Sequence, residues 1–304
     1  MRGVAGGVLA AGAATAAWGV LVERNLFTLR RTTFPVLPAG SPDLRVLHVS
    51  DLHMAPWQHR KQQWVRSLAD LRPDLVIDTG DNLGHELGLL GLRAAFEPLR
   101  GVPGAFVWGS NDYWAPQAKN PFQYFEGPSG GGGERQPKRL DTDALGRHLI
   151  DLGWTDLNNR AARIVVRDVP IDLVGVDDPH REYDRLEQAL PGLRGLRRRK
   201  QKAAVTIGVA HAPYRRTLDA LVDQGADVVL AGHTHGGQVC VPGYGALVTN
   251  CDIPREQVKG PSTWEHDGRS ARLNVSAGLG TSIWAPVRFA CRPEASLLTL
   301  TAAS

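Results

Sequence analysis

The stretch Asp227-Val-Val-Leu-Ala-Gly-His-Thr-His-Gly-Gly-Gln238 joins a short apolar run directly to a pair of histidines. The run Asp227-Val-Val-Leu230 is rich in β-branched residues and predicts a strand. His233 and His235 follow it two residues apart, and in an extended chain such a pair points to one side. The neighbouring glycines permit tight turns and let the backbone approach a ligand closely. We therefore expect a strand that ends in a ligand-binding turn.

Four earlier strand predictions end in similar polar residues. They are Leu44–Val49 followed by Asp51-Leu-His53, Asp74–Asp78 followed by Gly80-Asp81-Asn82, Gly104–Trp108 followed by Gly109-Ser-Asn111-Asp112, and Ala204–Ala210 followed by His211. Because ligands bind beyond the carboxyl ends of strands in open α/β sheets, we expect these side chains to lie together. The candidate metal ligands are Asp51, His53, Asp81, Asn111, His211, His233 and His235.

The chemistry of this ligand set predicts two metal ions. Seven side chains are too many for one ion, but they suit two ions that share a bridging carboxylate. Imidazole, carboxylate and amide donors together favour Mn, Fe or Zn, whereas Ca prefers oxygen donors alone. Two such ions clamp both oxygens of an in-line displacement at phosphorus and lower the pKa of a shared water. The pattern therefore indicates a site for two metal ions of the kind that serves displacement at phosphorus.

Helices predicted between the strands define the fold class. Apolar spacing indicates helices over residues 58–71, 86–100, 141–152 and 214–224, and further strands over 160–166, 171–176, 272–275 and 295–300. Alternating strands and helices imply βαβ units around a buried sheet with parallel pairs. The glycine-rich run 127–134 predicts a flexible loop within residues 113–140.

Composition excludes several classes of protein. Of 304 residues, 42% are hydrophobic and 22% are charged, which is ordinary for a globular protein. A formal net charge of +4 is too small to argue for nucleic-acid binding. Three cysteines over this length exclude a disulfide-based scaffold.

The N-terminus carries an uncharged stretch of 19 residues, Val4–Val22. That length suits a membrane-spanning helix, and the stretch also fits a signal peptide cleaved near Ala14-Thr15-Ala16. The apolar run continues through Trp18–Val22, beyond the cleavage point, which favours an uncleaved anchor.

This pattern predicts the domain organisation. We expect residues 1–24 to be a membrane anchor or signal segment, residues 25–43 to be a proline-containing linker, and residues 44–304 to be the catalytic domain. We further expect the catalytic domain to lie on the extracytoplasmic side of the cell membrane.

The strand-end motifs together resemble those of the calcineurin-like metallophosphoesterases, over residues 40–300. The run Gly232-His-Thr-His-Gly-Gly-Gln238 is specific, and with the N-terminal segment it resembles the bacterial branch that has exported and membrane-bound members. The resemblance implies an α/β fold, a four-layer αββα sandwich with two mixed sheets, here preceded by an N-terminal apolar helix. It also implies hydrolysis of phosphomonoesters, phosphodiesters or pyrophosphates by a metal-activated water.

The resemblance also assigns the candidate ligands to individual metals. One metal would be held by Asp51, His53, Asp81 and His235. The other metal would be held by Asp81, Asn111, His211 and His233, so that Asp81 bridges the two.

The third motif departs from the family pattern, which is Gly-Asn-His-Asp or Gly-Asn-His-Glu. In the family, the Asn is a ligand and the His is a proton donor, but this chain has Gly109-Ser-Asn-Asp112. An ungapped match puts Ser110 at the ligand position, and a one-residue shift puts Asn111 there. We prefer Asn111 because a carboxamide oxygen is the better ligand. The neighbouring histidine is absent either way, so Asp112 is a candidate acid if its surroundings keep it protonated. We expect Asp112 and His211 to act in catalysis.

Three further residues are candidates for binding the substrate. Asp178 and His180 follow the predicted strand 171–176, and His85 follows the turn 80–84. Ordinary turn and helix-start roles are equally simple interpretations of these residues.

The expected substrate is a phosphorylated small molecule or a lipid. The membrane is the expected partner of the N-terminal segment, and no protein partner is predicted. Two alternatives stay open: a nucleotide phosphodiesterase or nuclease, and a metal-binding interaction module without catalytic activity.

Overall fold

Fourteen strands make up the sheets of the molecule in a computed structural model that describes residues 12–117 and 137–303. They are β1 (Thr28–Leu37), β2 (Leu44–Val49), β3 (Leu75–Asp78), β4 (Gly104–Phe106), β5 (Trp154–Asp156), β6 (Arg160–Val166), β7 (Val169–Gly175), β8 (Val205–Val209), β9 (Val228–Ala231), β10 (Cys240–Val241), β11 (Gly245–Ala246), β12 (Gly260–His266), β13 (Arg269–Val275) and β14 (Glu294–Ala302).

Twelve of these strands form two six-stranded mixed sheets. The first sheet has the order β1-β14-β2-β3-β4-β5, and the second has the order β12-β13-β9-β8-β7-β6. Strands β2 to β5 are parallel neighbours, and so are β7, β8, β9 and β13. The parallel strands β2, β3, β8 and β9, which precede most of the candidate ligands, therefore lie in the interior of the two sheets.

Six α-helices lie between residue 59 and the C-terminal end of the described part of the chain. They are α1 (His59–Ser67), α2 (Gly88–Phe96), α3 (Ser110–Tyr113), α4 (Thr142–Asp151), α5 (Leu186–Arg197) and α6 (Arg215–Asp223). Helices α1, α2 and α4 pack on the outer face of the first sheet, and α5 and α6 pack on the outer face of the second. The expected four-layer αββα sandwich is confirmed.

The inner faces of the two sheets share one apolar core. Val46 and Ile77 of the first sheet belong to the same buried cluster as Ile207 and Leu230 of the second. Because these strands are covered on both faces, their sequences are nearly continuous apolar runs.

A buried polar contact crosses this core near the carboxyl end of β2. His48 Nδ1 accepts a hydrogen bond from Asn274 of β13 at 2.9 Å, and His48 Nε2 lies 3.0 Å from the hydroxyl of Thr79. Asn274 also contacts Ser296 of β14 at 3.3 Å. This set of hydrogen bonds ties the two sheets together directly below the strand ends.

The described part of the N-terminal segment is helical but of mixed type. Residues 12–17 are helical, and a π-helical turn (Trp18–Val22) and a 3-10 turn (Glu23–Asn25) follow. Within residues 12–117 and 137–303, no helix has both the length and the hydropathy needed to cross a bilayer. The remainder of the expected anchor, residues 1–11, lies outside the described residues, as does the glycine-rich run 127–134.

Residues 28–37, which we expected to lie in a linker, form strand β1. This strand pairs in parallel with β14 from Thr28 to Leu37, and Phe34 and Leu37 are buried in the core between the sheets. Pro35 is compatible with the strand because β1 lies at the edge of its sheet, where one side needs no ladder hydrogen bonds. The domain therefore begins before residue 44, and the prolines misled the sequence interpretation.

Leu37→Ala tests whether β1 belongs to the folded domain. Leu37 is 1% exposed, so its truncation should lower the free energy of unfolding by about 2–5 kcal/mol. The matched control is Thr33→Ala on the exposed side of the same strand, which should change stability by less than about 0.5 kcal/mol. Urea unfolding followed by tryptophan fluorescence would measure both. Equal stability of the two variants would contradict a structural role for β1.

The pH dependence of stability tests the buried state of His48. Burial lowers the pKa of His48 to about 3. Below its ordinary pKa of about 6.5 the unfolded chain binds a proton that the folded chain excludes, so stability falls as pH falls, by about 1.4 kcal/mol per pH unit. In metal-free protein, His48→Gln should reduce the slope of stability against pH, because about one proton fewer is bound on unfolding. The exposed control His59→Gln should leave the slope unchanged. If the slope of stability against pH is the same in His48→Gln as in the wild type, His48 is already protonated in the folded protein.

Candidate metal centre

The strand ends bring five of the seven predicted ligands into two overlapping groups. Asp51, His53 and His235 form one group, and Asp51, Asp81 and His211 form the other, with ligand atoms within 4.8 Å of one another in each. Asp51, His53 and Asp81 follow strands of the first sheet, whereas His211 and His235 follow strands of the second. The site therefore lies where the carboxyl ends of both sheets meet.

Five ligand residues have an unusual left-handed backbone. The φ angles are 49° at Asp51, 41° at His53, 56° at Asp81, 67° at His233 and 50° at His235. Positive φ is uncommon for residues other than glycine and costs free energy, and it persists only where surrounding contacts impose it. Hydrogen bonds from Asp51 N to Gly80 O and from His53 N to Asp81 O, at 2.8 and 2.9 Å, are two such contacts. Strain of this kind is concentrated at functional sites.

Glycine is required at two positions where the backbone passes close to candidate ligand side chains. A Cβ atom at Gly109 would clash with the Asp81 carboxylate and the His211 ring, and one at Gly232 would clash with Ser50 and Asp51. Neighbouring side chains thus occupy the space that a Cβ atom would need, so only glycine lets the backbone approach them this closely.

Several polar atoms converge on the centre without a protein partner. Asp51 Oδ1 and His211 Nε2 are buried and have no hydrogen-bond partner among the described residues. His53 Nε2 and His235 Nε2 face each other at 3.2 Å, and His235 Nε2 lies 3.6 Å from Asp51 Oδ1. Facing lone pairs and orphaned carboxylate oxygens are stabilised by a cation between them, so these residues fit divalent metals with mixed nitrogen and oxygen ligands.

Hydrogen bonds from surrounding residues orient the candidate ligand side chains. His211 Nδ1 donates to the carbonyl of Thr79 at 2.7 Å, so Nε2 is the ring nitrogen that faces Asp81, at 3.6 Å from Oδ1. Asp51 Oδ2 accepts hydrogen bonds from Ser50 Oγ at 2.6 Å and from His233 N at 2.9 Å. Its other oxygen is thereby turned toward the centre.

Burial and mutual charge set the protonation of the site. Burial raises the pKa of Asp51 to about 6, although the charge of His211 opposes this rise. For Asp81, burial is outweighed by the charges of His211 and His53, which hold its pKa below the usual range. Burial lowers the pKa of His53 to about 4 and the pKa of His235 well below 6.5. These two imidazoles are therefore neutral at pH 7, as metal ligands must be.

Asn111 and Asp112 of the third motif both hold Asp81 in place. The Asn111 carboxamide lies 2.7 Å from Asp81 Oδ2, and the Asn111 backbone N–H donates to Asp81 Oδ1 at 2.8 Å. The fully buried carboxylate of Asp112 accepts backbone hydrogen bonds from Gly109, Asp81 and Asn82, at 3.0, 2.8 and 2.8 Å. Asp112 therefore ties the third strand-end loop to the second. This geometry gives Asp112 a positioning role in place of the expected contact with a leaving group.

The three predicted substrate-binding residues differ in position. The His180 ring lies 4.5 Å from the His233 ring between centroids, and Asp178 is fully buried beside it. His85 instead packs edge-on against Trp57 at 4.9 Å and accepts from Leu87 N at 3.1 Å, outside both ligand groups. Only the loop after β7 is thus brought to the ligands.

Two buried cations that sequence reasoning missed support the ligand loops. Arg288 is fully buried, donates to the carbonyls of Ala277 and Gly280 at 2.7 Å each, and lies 3.3 Å from His235 Nδ1. The Lys61 ammonium donates to the carbonyl of Leu52 at 2.6 Å, and burial lowers its pKa to about 7. Neither residue lies in a motif, so no local pattern distinguishes it from an exposed Arg or Lys.

Comparison with known proteins agrees with this geometry. The family model for "Calcineurin-like phosphoesterase" matches residues 44–237. The chain is 30% identical over 277 residues to the "Uncharacterized protein YpbG" of Bacillus subtilis (strain 168), across 90% of this chain and 87% of that protein. It is 25% identical over 313 residues to the "Uncharacterized metallophosphoesterase YkuE" of the same organism, across 97% of this chain and 94% of that protein.

The chain is also similar to a solved structure, and the family match includes the candidate site. TT1561 of Thermus thermophilus is 15% identical, with a TM-score of 0.43 across 78% of this chain and 91% of that chain. The family match includes every candidate ligand from Asp51 to His235. The chain therefore belongs to the calcineurin-like phosphoesterase family and is a hydrolase of phosphoester bonds.

Proposed function

We propose that this chain hydrolyses a phosphoester or pyrophosphate bond with water, using two ions of Mn, Fe or Zn. The observation that carries the proposal is the position of Asp81 between two imidazoles. Its Oδ2 lies 3.4 Å from His53 Nε2, and its Oδ1 lies 3.6 Å from His211 Nε2. One carboxylate that faces both sides in this way is suited to bridging two ions. Bound ions would polarise the phosphoryl group and lower the pKa of a water.

In this proposal the chain's own residues hold the ligand atoms at fixed separations. Asp51, His53 and His235 form one side of the centre, and His211 and Asn111 form the other side with Asp81. His233 lies next to His211, with ring centroids 5.1 Å apart, and completes the second side. Because the backbone and buried cations fix these positions before substrate arrives, little reorganisation is needed during the reaction.

We propose a lipid or cell-envelope phosphoester as the substrate class. The end of the apolar N-terminal segment packs against the loop that supports His235. Glu23 accepts hydrogen bonds from Cys291 N at 2.7 Å and from Trp18 Nε1 at 2.9 Å, and Arg288 N donates to Gly19 O at 3.2 Å. A membrane bound by residues 1–22 would therefore lie close to the metal centre.

Exposed apolar side chains support the same substrate class. Leu21 is 67% exposed in the N-terminal segment, and Trp284 is 58% exposed in the loop that carries Arg288. Such side chains favour an interface with acyl chains over bulk water. The proposed location is the extracytoplasmic face of the cell membrane.

Removal of the bridging carboxylate tests the proposed centre. Wild-type protein should bind about two metals per chain and hydrolyse at least one of a phosphomonoester, a phosphodiester and a nucleotide pyrophosphate in the presence of Mn. Asp81→Asn should lower the metal content to one or fewer and reduce kcat at least about 100-fold, because loss of several kcal/mol of charge stabilisation has that effect. The exposed control Asp168→Asn should match wild type in both measurements. Unchanged metal content in Asp81→Asn would contradict the proposal.

Truncation tests the membrane proposal. The full chain should sediment with membranes and remain there in high salt, whereas a chain that begins at Trp18 should be released, because it lacks most of the apolar stretch but keeps the Trp18–Glu23 contact. Equal metal content in the two chains would show that the truncated domain is intact. A full chain that stays in the supernatant would rule out the anchor.

A further inference from the structure

Two cysteines meet beside the loop that carries His235, although they are far apart in the sequence. Cys240 lies in β10, and Cys291 lies shortly before β14. The backbone N–H of Cys240 donates to the carbonyl of Phe289 at 2.8 Å, so β10 runs directly alongside the segment that carries Cys291. Neighbouring backbone segments of this kind give the short Cα separation that a disulfide requires.

Both thiols converge on one backbone oxygen. Cys240 Sγ lies 3.3 Å from the carbonyl oxygen of Gly236, and Cys291 Sγ lies 3.4 Å from the same atom. The two side chains also form a hydrogen bond with each other. Both are buried and carry free thiols. The third cysteine, Cys251, instead contacts the carboxylate of Asp252 at 3.8 Å. Cys240 and Cys291 are therefore placed to be joined to each other.

A cavity connects this pair of thiols with the surface. Its volume is about 290 Å³, and its lining includes Cys240, Val241, Gly243 and Lys259. Val241 and Gly243 lie in the exposed part of the β10–β11 hairpin, so the cavity opens to solvent next to Cys240. Lys259 Nζ lies 3.8 Å from Cys291 Sγ. A small disulfide that enters the cavity thus meets Cys240, with a cation nearby to stabilise the thiolate that leaves during exchange.

The same thiols support the loop of a candidate metal ligand. Cys291 Sγ lies 3.3 Å from the carbonyl oxygen of His235, in addition to its contact with Gly236. A disulfide has no S–H group, so oxidation would remove the hydrogen bonds that the two thiols donate to this loop. Loss of a hydrogen-bond partner is costly for a buried carbonyl. The loop would therefore shift, and the imidazole of His235 would be held less firmly.

We propose that Cys240 and Cys291 form a reversible disulfide, and that this disulfide weakens metal binding on the His235 side of the centre. The oxidant is the disulfide of a small thiol. The sulfur of Cys240 bonds to one sulfur of the oxidant and displaces the other as a thiol. The sulfur of Cys291 then bonds to that of Cys240 and displaces the second thiol. The two electrons and two protons lost by the cysteines thus end on the two thiols released. Only the effect on metal rests on the proposed function above.

Thiol counting tests the disulfide directly. The folded full chain would be treated with oxidised glutathione, unfolded in acid and alkylated, and its remaining thiols would be counted by mass spectrometry. Two of the three thiols should be lost together, and a digest should contain one cross-link, between Cys240 and Cys291. The matched control Cys251→Ser should form the same cross-link, whereas Cys240→Ser and Cys291→Ser should form none. Reduced glutathione should restore all thiols of the wild type.

Mn affinity measures the effect on the metal centre. After removal of glutathione, oxidised wild-type protein should bind Mn about 10–100-fold more weakly than reduced protein, because contacts that orient a ligand have effects of this size. Cys251→Ser should show the same change, and Cys240→Ser should not respond to the oxidant. Electron paramagnetic resonance of free Mn would give the affinities without an activity assay.

Each part of the proposal can fail separately. Three intact thiols in the oxidised wild type, or a cross-link that includes Cys251, would overturn the disulfide. Unchanged Mn affinity in the cross-linked protein would overturn the effect on the centre. If reduced wild-type protein binds no Mn, the proposed function fails together with that effect, and the cross-link still decides whether the two cysteines form a disulfide.

Discussion

The packing of the two sheets face to face is the constraint on which the metal centre depends. Neither sheet carries a complete ligand set, since Asp51 and Asp81 follow strands of the first sheet and His211 and His235 follow strands of the second. The shared apolar core and the His48–Asn274 hydrogen bond fix the distance between the sheets. Interiors are close-packed, so this distance is held within narrow limits. The separation of the ligand atoms follows from it.

The strand-end loops are shaped by contacts that oppose their local preferences. His53 and Asp81 adopt left-handed backbone that non-glycine residues avoid. Asp112 and Lys61 compensate by binding a backbone amide and a carbonyl of the same loops, and Arg288 binds the carbonyl of His235 at 3.4 Å. The ligands are thus held by groups that do not themselves face the centre, which is how a site remains preorganised when no ion is bound.

Much of this architecture could be predicted from the sequence because each strand and its ligand residues are neighbours along the chain. The apolar run before His233 is a strand, and the ligand residues follow their strands directly, so the periodicity of the sequence predicts both. Strand β1 was missed because Pro35 and its neighbours are typical of a linker, and only its pairing with β14, more than 250 residues away, makes it a strand. Helix α5 is absent from the helices predicted by apolar spacing, and its apolar face is covered by the second sheet.

The sequence by itself determined which residue types stand at the end of each strand, and hence the candidate metal ligands of a phosphoester hydrolase. The order of residues along the chain is sufficient to predict these residue types, because each strand, turn and ligand are adjacent in the sequence. The tertiary structure decided which side chains reach the centre. It turned Asp112 toward backbone amides, left His85 outside the ligand groups and brought His180 against His233. These positions depend on how loops from different strands pack together, and no spacing along the chain records that packing.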